Sequence, residues 1–213
     1  MSSTTQNKSM NDEYLQAALK LAQTCDYEAD HTLHVTYLAL RLFDETQSLH
    51  HLGQEERLWL NCAAILHDIG WIEGRKSHNK VTLRIILTTP LLPFSNKERL
   101  IIGSIARYHR KALPTNEHDH FAALVPGDQQ IVRILSAFLR LGDGLDQAHA
   151  GRVRDLTCKI SAKKISLNCA VKTPASDEDL NAINKKDLFE QVFNRKLTVH
   201  WKLPEKQYNP LRG

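Results

Sequence analysis

His67 and Asp68 place an imidazole and a carboxylate at one backbone point, and two such neighbours can reach a single cation. Alone the pair is weak evidence, since His118-Asp119-His120 repeats the letters in a segment that reads as a polar, solvated loop. Other candidates lie at a distance. His31 is in phase with Val35, Leu38 and Leu42, so its ring projects from the apolar stripe of a helix. Asp143 follows the apolar run from Ile134 to Leu141, where a carboxylate is costly to bury without a cation or donor. His78 shares a face with Thr82, Ile85 and Ile86, and His109 one with Ile102, Ile105 and Ala106. Taken singly, His31 is more ordinarily a hydrogen-bonded core histidine, and Asp143 is as readily a surface carboxylate at a helix end. Together His31, His67, Asp68, His78, His109 and Asp143 offer ligands for one divalent ion, or for two with Asp68 as a bridge.

One chemistry open to such a set is hydrolysis of a phosphoester or phosphoanhydride by a metal-activated water. Manganese, iron, cobalt and magnesium are the candidate ions. Asp68 and His109 carry the catalytic roles: Asp68 bridges ions or orients the water, and His109 completes the second ion site or donates to phosphate. Lys76, Arg110, Lys111 and Arg140 flank the ligands and are the candidate phosphate-binding cations. Arg75 and Lys80 read as ordinary solvated charge, as do the lysines beyond residue 151. The ligand implied is a phosphorylated small molecule or polyphosphate. Nucleic acid is disfavoured, because no patch interleaves aromatic and basic residues.

These side chains must be positioned by helices. Six segments carry helical periodicity: Asp12 to Cys25, Asp30 to Ser48, Gln54 to Ile69, Ser77 to Thr88, Asn96 to His109 and Gly127 to Leu145. Asp12, Asp30, Ser77 and Asn96 are the expected caps. Near Gly151 the pattern changes to short β-like runs, Val153 to Ile160 and Ile165 to Val171, around Lys163 and Lys164. A helix from Asp177 to Phe193 and a strand from Lys196 to Trp201 follow. The expected fold is mainly α with a small C-terminal α+β appendage, divided into a disordered start (1–11), a helical domain (12–150) and a C-terminal subdomain (151–213).

The 213 residues, 42% of them hydrophobic, suffice for a substantial core. A formal net charge of +4 and a pI near 8.9 suit an anionic ligand without requiring one. Cys25, Cys62, Cys158 and Cys169 form no CxxC pair and read as free thiols of a reducing cytosol. The polar start lacks an apolar signal core, and no apolar run approaches the roughly 20 residues a membrane span needs. A cytoplasmic protein with a frayed N-terminus is expected, and a homo-oligomer is allowed.

The order His31, His67-Asp68, Asp143 resembles the signature of the HD superfamily of metal-dependent phosphohydrolases. More closely, four segments are similar to the C-terminal HD region of the exopolyphosphatase and guanosine-pentaphosphatase (Ppx/GppA) family. They are Leu38-Ala39-Leu40-Arg41-Leu42-Phe43-Asp44, Ala64-Ile65-Leu66-His67-Asp68-Ile69-Gly70, Arg107-Tyr108-His109-Arg110-Lys111, and the run from Leu139 to Asp146. The resemblance covers about Asp12 to Trp201. It implies a helical HD core, and it implies that the known phosphatase site of larger members lies in an N-terminal actin-like domain that has no counterpart in this sequence. Exopolyphosphatase activity therefore does not transfer directly, although all the signature residues are kept. His34 is expected behind the ligands. Guanosine tetraphosphate hydrolysis is disfavoured, because relatives with that activity carry a Glu-Asp pair where this chain reads Ile72-Glu73-Gly74-Arg75. Two other readings use the same residues: a non-catalytic regulatory module binding phosphate, nucleotide or polyphosphate, and a di-iron oxygenase, for which nothing outside the ligands speaks.

Overall fold

The apolar periodicities become helices in the computed structural model, which describes the backbone of residues 2–174 and 183–203 and the side chains of 11–174 and 185–203. In order the helical body comprises α1 (Ser2–Thr24), α2 (Ala29–Glu45), α3 (Gln47–His50), α4 (Gln54–Leu66), a 3-10 turn (Ile69–Glu73), α5 (His78–Thr88), α6 (Asn96–Arg107), α7 (Asp119–Ala122) and α8 (Pro126–Leu145). Helix α1 extends over the polar segment expected to fray. Helix α8 is central: every residue from Ile134 to Leu145 is buried, as expected of a helix packed on all sides. It packs against α2, α4 and α6, while α5 packs on α6 and the 3-10 turn, and α1 covers α4. A Cβ added at Gly142 would lie 3.2 Å from the Ala39 nitrogen and 3.3 Å from the Val35 oxygen. The glycine thus lets α8 approach α2 closely, which brings Asp143 toward His31.

Several helix ends differ from the sequence reading. Helix α4 stops at Leu66 rather than Ile69, because α5 takes over its backbone groups. Thr82 Oγ1 donates to the His67 carbonyl at 3.0 Å and accepts from Gly70 N–H at 3.0 Å. Helix α6 ends at Arg107, leaving His109 beyond it. Helix α2 ends at Glu45, and the Thr46 hydroxyl bonds back to the Leu42 carbonyl at 2.7 Å. The caps also differ. Ser95, not Asn96, caps α6 in a reciprocal box with Glu98. Ser77 precedes α5 without a side-chain cap, Asp30 sits inside the first turn of α2 behind Glu28, and Asp12 lies within α1.

The C-terminal part is a sheet with one crossover. Strands β1 (Val153–Ile160) and β2 (Lys164–Val171) form an antiparallel hairpin, and β3 (Lys196–Lys202) lies parallel to β2, in the order β1-β2-β3. The parallel pairing demands a crossover. Its described portion is a 3-10 turn (Ile183–Lys186) followed by α9 (Asp187–Phe193). The first part of the helix expected from Asp177 lies outside the described residues. Phe189 and Phe193 pack on Phe138 of α8 at ring separations of 6.0 and 5.8 Å. Buried residues of the body and of this unit form one continuous core. All four cysteines are free. Among the described residues no helix is long and apolar enough to cross a membrane.

Candidate metal and phosphate site

The ends of α4, α5 and α6, the start of α2 and the last turns of α8 converge. Two ligand groups result, His31 with His67 and Asp143, and Asp68 with His78 and His109, and within each group the donor atoms lie within 4.8 Å of one another. Asp68 stands between the groups. Its Oδ2 is 3.5 Å from His67 Nε2, and its Oδ1 is 3.0 Å from His78 Nε2 and 3.4 Å from His109 Nε2. Gly70 makes this approach feasible, since an added Cβ would sit 2.1 Å from the His78 carbonyl oxygen and 2.7 Å from the Thr82 nitrogen.

Each imidazole has its Nδ1 occupied. Those of His67, His78 and His109 donate to the carbonyls of Ala64, Arg75 and Ala106 at 2.8, 3.0 and 2.7 Å, and that of His31 to Asp146 Oδ2 at 2.9 Å. In the neutral, ligating tautomer a ring that donates from Nδ1 presents its lone pair on Nε2, so the four Nε2 atoms face one region. The Nε2 atoms of His31 and His67 and Asp68 Oδ1 are buried without a hydrogen-bond partner. His78 and His109 bring their Nε2 atoms to 3.2 Å of each other. Buried groups gathered this way could hold a cation, and imidazole with carboxylate suits a divalent transition ion at ligand distances of about 2.0–2.2 Å. The residues therefore fit such a group.

The electrostatics agree. Burial alone would raise Asp68, but the histidines around it, His67, His78 and His109, outweigh burial and hold its carboxyl below the usual range. Burial likewise opposes the charge of Asp143, yet Lys185, His31 and the neighbouring histidines keep it well below normal. Burial pushes His109 down to about 3, so it stays neutral and able to ligate. At His31 burial is outweighed by the Asp143 and Asp146 carboxylates, which raise it to about 9. His31 is thus a cation whose Nε2 lies 3.7 Å from Asp143 Oδ1, and ligation by it would first require loss of that proton.

Above the groups lies a cleft of about 670 Å³ whose wall includes Asp68, His109 and Asp143 together with Arg75, Arg110, Lys111 and Lys185. Arg110 and Lys111 are where sequence reasoning expected phosphate-binding cations. Lys76 is exposed and does not line this cleft; Arg75, which read as plain solvated charge, does, with its guanidinium 4.9 Å from the Trp71 ring centre. Arg140 also lies elsewhere, because Asp187 of α9 takes it in a bidentate pair at 2.9 and 3.2 Å. The His118 segment is not a free loop. It forms the turn of α7, where His118 Nδ1 meets the Tyr108 hydroxyl at 2.8 Å and the His120 ring lies tilted against that of Tyr108 at 5.4 Å.

Sequence reasoning assigned no role to Asp146. It holds His31 through Oδ2 and, through Oδ1, lies 3.2 Å from His34 Nδ1 and accepts from Gly151 N–H at 2.8 Å. His34 is fixed in turn by the Val153 carbonyl at 2.7 Å. The signal was present as the two i,i+3 pairs His31/His34 and Asp143/Asp146, each on one helical face. Lys185 and His149, the latter stacked on His31 at 3.6 Å, come from segments with no periodic signal toward the site.

Helices that deliver histidines and aspartates from their ends to one buried point define a mainly α domain with a cation-competent centre. The chain belongs to the Ppx/GppA phosphatase family: residues 15–191 match the model of its domain III, the C-terminal, HD-containing region. No curated protein matches the chain.

Proposed function

We propose that this chain is a metal-dependent phosphohydrolase acting on a phosphoester or phosphoanhydride of the nucleotide or polyphosphate class. The observation that carries this reading is the convergence of Nε2 lone pairs and Asp68 at the floor of a cationic cleft. Membership of a phosphatase family supports it as well. Divalent ions held by His31, His67, Asp143, Asp68, His78 and His109 would make a bound water nucleophilic near neutral pH and polarise phosphoryl oxygens. Asp68 lies within reach of both groups and is suited to orient that water while linking the two halves of the site. His109, kept neutral by burial, ligates without competing protonation. Arg110, Lys111 and Arg75 offset the charge of the phosphoryl group.

A second reading, a phosphate-binding module without turnover, is favoured by one feature: the cleft's cations would bind a phosphate whether or not it is cleaved. The two are separated with protein stripped of metal, reloaded with manganese, magnesium, cobalt or iron, and assayed for phosphate release from nucleotides, polyphosphate and an aryl phosphate. Wild type is expected to take up a transition metal and to turn over at least one substrate. Asp68→Asn keeps the shape and one acceptor but removes the charge, so turnover should fall about 10²- to 10⁴-fold while phosphate binding at saturating metal changes little. A wild type that binds metal and phosphate but releases none is a binding module, and an Asp68→Asn chain as fast as wild type removes Asp68 from the mechanism.

A further inference from the structure

The 3-10 turn before α9 is held firmly in place. Asp187, which follows it, is clamped by Arg140, Leu188 and Phe189 are buried, and Lys186 Nζ donates to the Leu197 carbonyl at 3.1 Å. From this turn Lys185 reaches to α8, where its Nζ lies 2.5 Å from Asp143 Oδ2. Asp143 is thereby divided, with Oδ1 facing His31 and Oδ2 facing the lysine. An ammonium has three N–H donors, and Asp143 is the one hydrogen-bond partner of Lys185 Nζ among the described residues. The remaining donors belong to a side chain that lines the cleft with Asp68 and His109.

We propose that Lys185 is a substrate-binding residue, the cation through which the C-terminal unit grips the phosphoryl group of the substrate. Asp143 aims the ammonium, and its spare N–H groups bind non-bridging phosphoryl oxygens over the ligand groups. The inference rests on the phosphohydrolase reading and gives the β2-to-β3 crossover a function: it carries a cation to a site otherwise built by the helical body. Arg140, expected to touch phosphate itself, acts one step back by anchoring Asp187 and so the turn that bears Lys185.

The test uses the full chain loaded with manganese, with inorganic phosphate as the probe in calorimetry and an aryl phosphate for kinetics. Lys185→Gln should weaken phosphate binding and raise KM by about 10- to 100-fold, the range for loss of a charge-assisted hydrogen bond, with metal content and melting temperature near those of wild type. Lys185→Arg should recover most of the affinity. Phosphate affinity unchanged in Lys185→Gln overturns the proposal, as does a loss of affinity that merely follows a loss of bound metal, since Lys185 would then only prop Asp143. If wild type turns substrate over and Lys185→Gln is unaffected, only this inference fails. If wild type neither binds nor releases phosphate, the phosphohydrolase reading fails with it.

Discussion

An imidazole buried in a core is usually satisfied at both nitrogens, and the rings of His31 and His67 here are hydrogen-bonded at one. Backbone carbonyls hold the Nδ1 atoms of His67, His78 and His109, whereas His31 depends on a side chain, Asp146, and is the one ring a single substitution can release. Partners of this kind fix ring orientation and basicity, and their loss typically costs about 10- to 100-fold in metal affinity. Asp146→Ala should weaken metal binding by that factor in a chelator competition, while Asp146→Asn, which keeps an acceptor for Nδ1–H, should lose less. Equal affinity in Asp146→Ala and wild type would show that His31 is oriented by other contacts or is no ligand. The candidate histidines were legible in the sequence because they share helix faces with apolar residues. Asp146 was legible only as one of several acids near a helix end, because its role depends on the facing turn of α2. Lys185 could not be read at all: its pairing with Asp143 spans 42 residues and is set by how the crossover docks.

At the scale of elements, the site is assembled from helix ends. Each ending has a local cause: the Thr82 hydroxyl satisfies the backbone beyond α4, the Ser95 box starts α6, and Gly70 admits the first turn of α5 against the 3-10 turn. An added methyl at Gly70 meets backbone atoms of α5, which cannot rotate away as a side chain would. Gly70→Ala should therefore destabilise the chain by about 1–3 kcal/mol through overpacking and displace His78. Its metal content should fall while the His31, His67 and Asp143 group stays intact. Calorimetry and elemental analysis check this together, and a variant with wild-type melting and full metal content would refute the close approach. The long helices were plain from periodicity, since their apolar repeats are long, whereas the four-residue α7 carried no such repeat and read as a loop. The ends were not, because tertiary partners such as Thr82, twelve residues from Gly70, decide which carbonyls need the helix to continue.

For the molecule as a whole, the continuous core makes stability a joint property of the helical body and the C-terminal unit, so a half-buried group outside the candidate metal site can set its acid limit. His120 is such a group. Burial first, then the positive charges of Arg107 and His118, push it down to about 4 against the opposing pull of Asp119. The unfolded chain protonates this ring near its ordinary 6.5, whereas the folded chain resists until about 4. Between those values the unfolded state binds more protons, so stability is complete above 6.5, declines as pH falls toward 4, and changes no further from this group below that. The carboxylates held low, Asp68, Asp143 and Asp146, contribute in the opposite part of the scale: their stabilisation is present above the ordinary carboxylate range and is lost as pH falls below it. Two successive acid phases follow. His120 Nε2 is buried without a hydrogen-bond partner, so His120→Gln forfeits no bond on that side while removing the titration. Melting temperatures of wild type and His120→Gln, measured from pH 7.5 to 3.5, should diverge between about 6.5 and 4 in favour of the variant and run parallel below. Curves that stay parallel throughout would mean that His120 takes up its proton in the folded chain as easily as in the unfolded one.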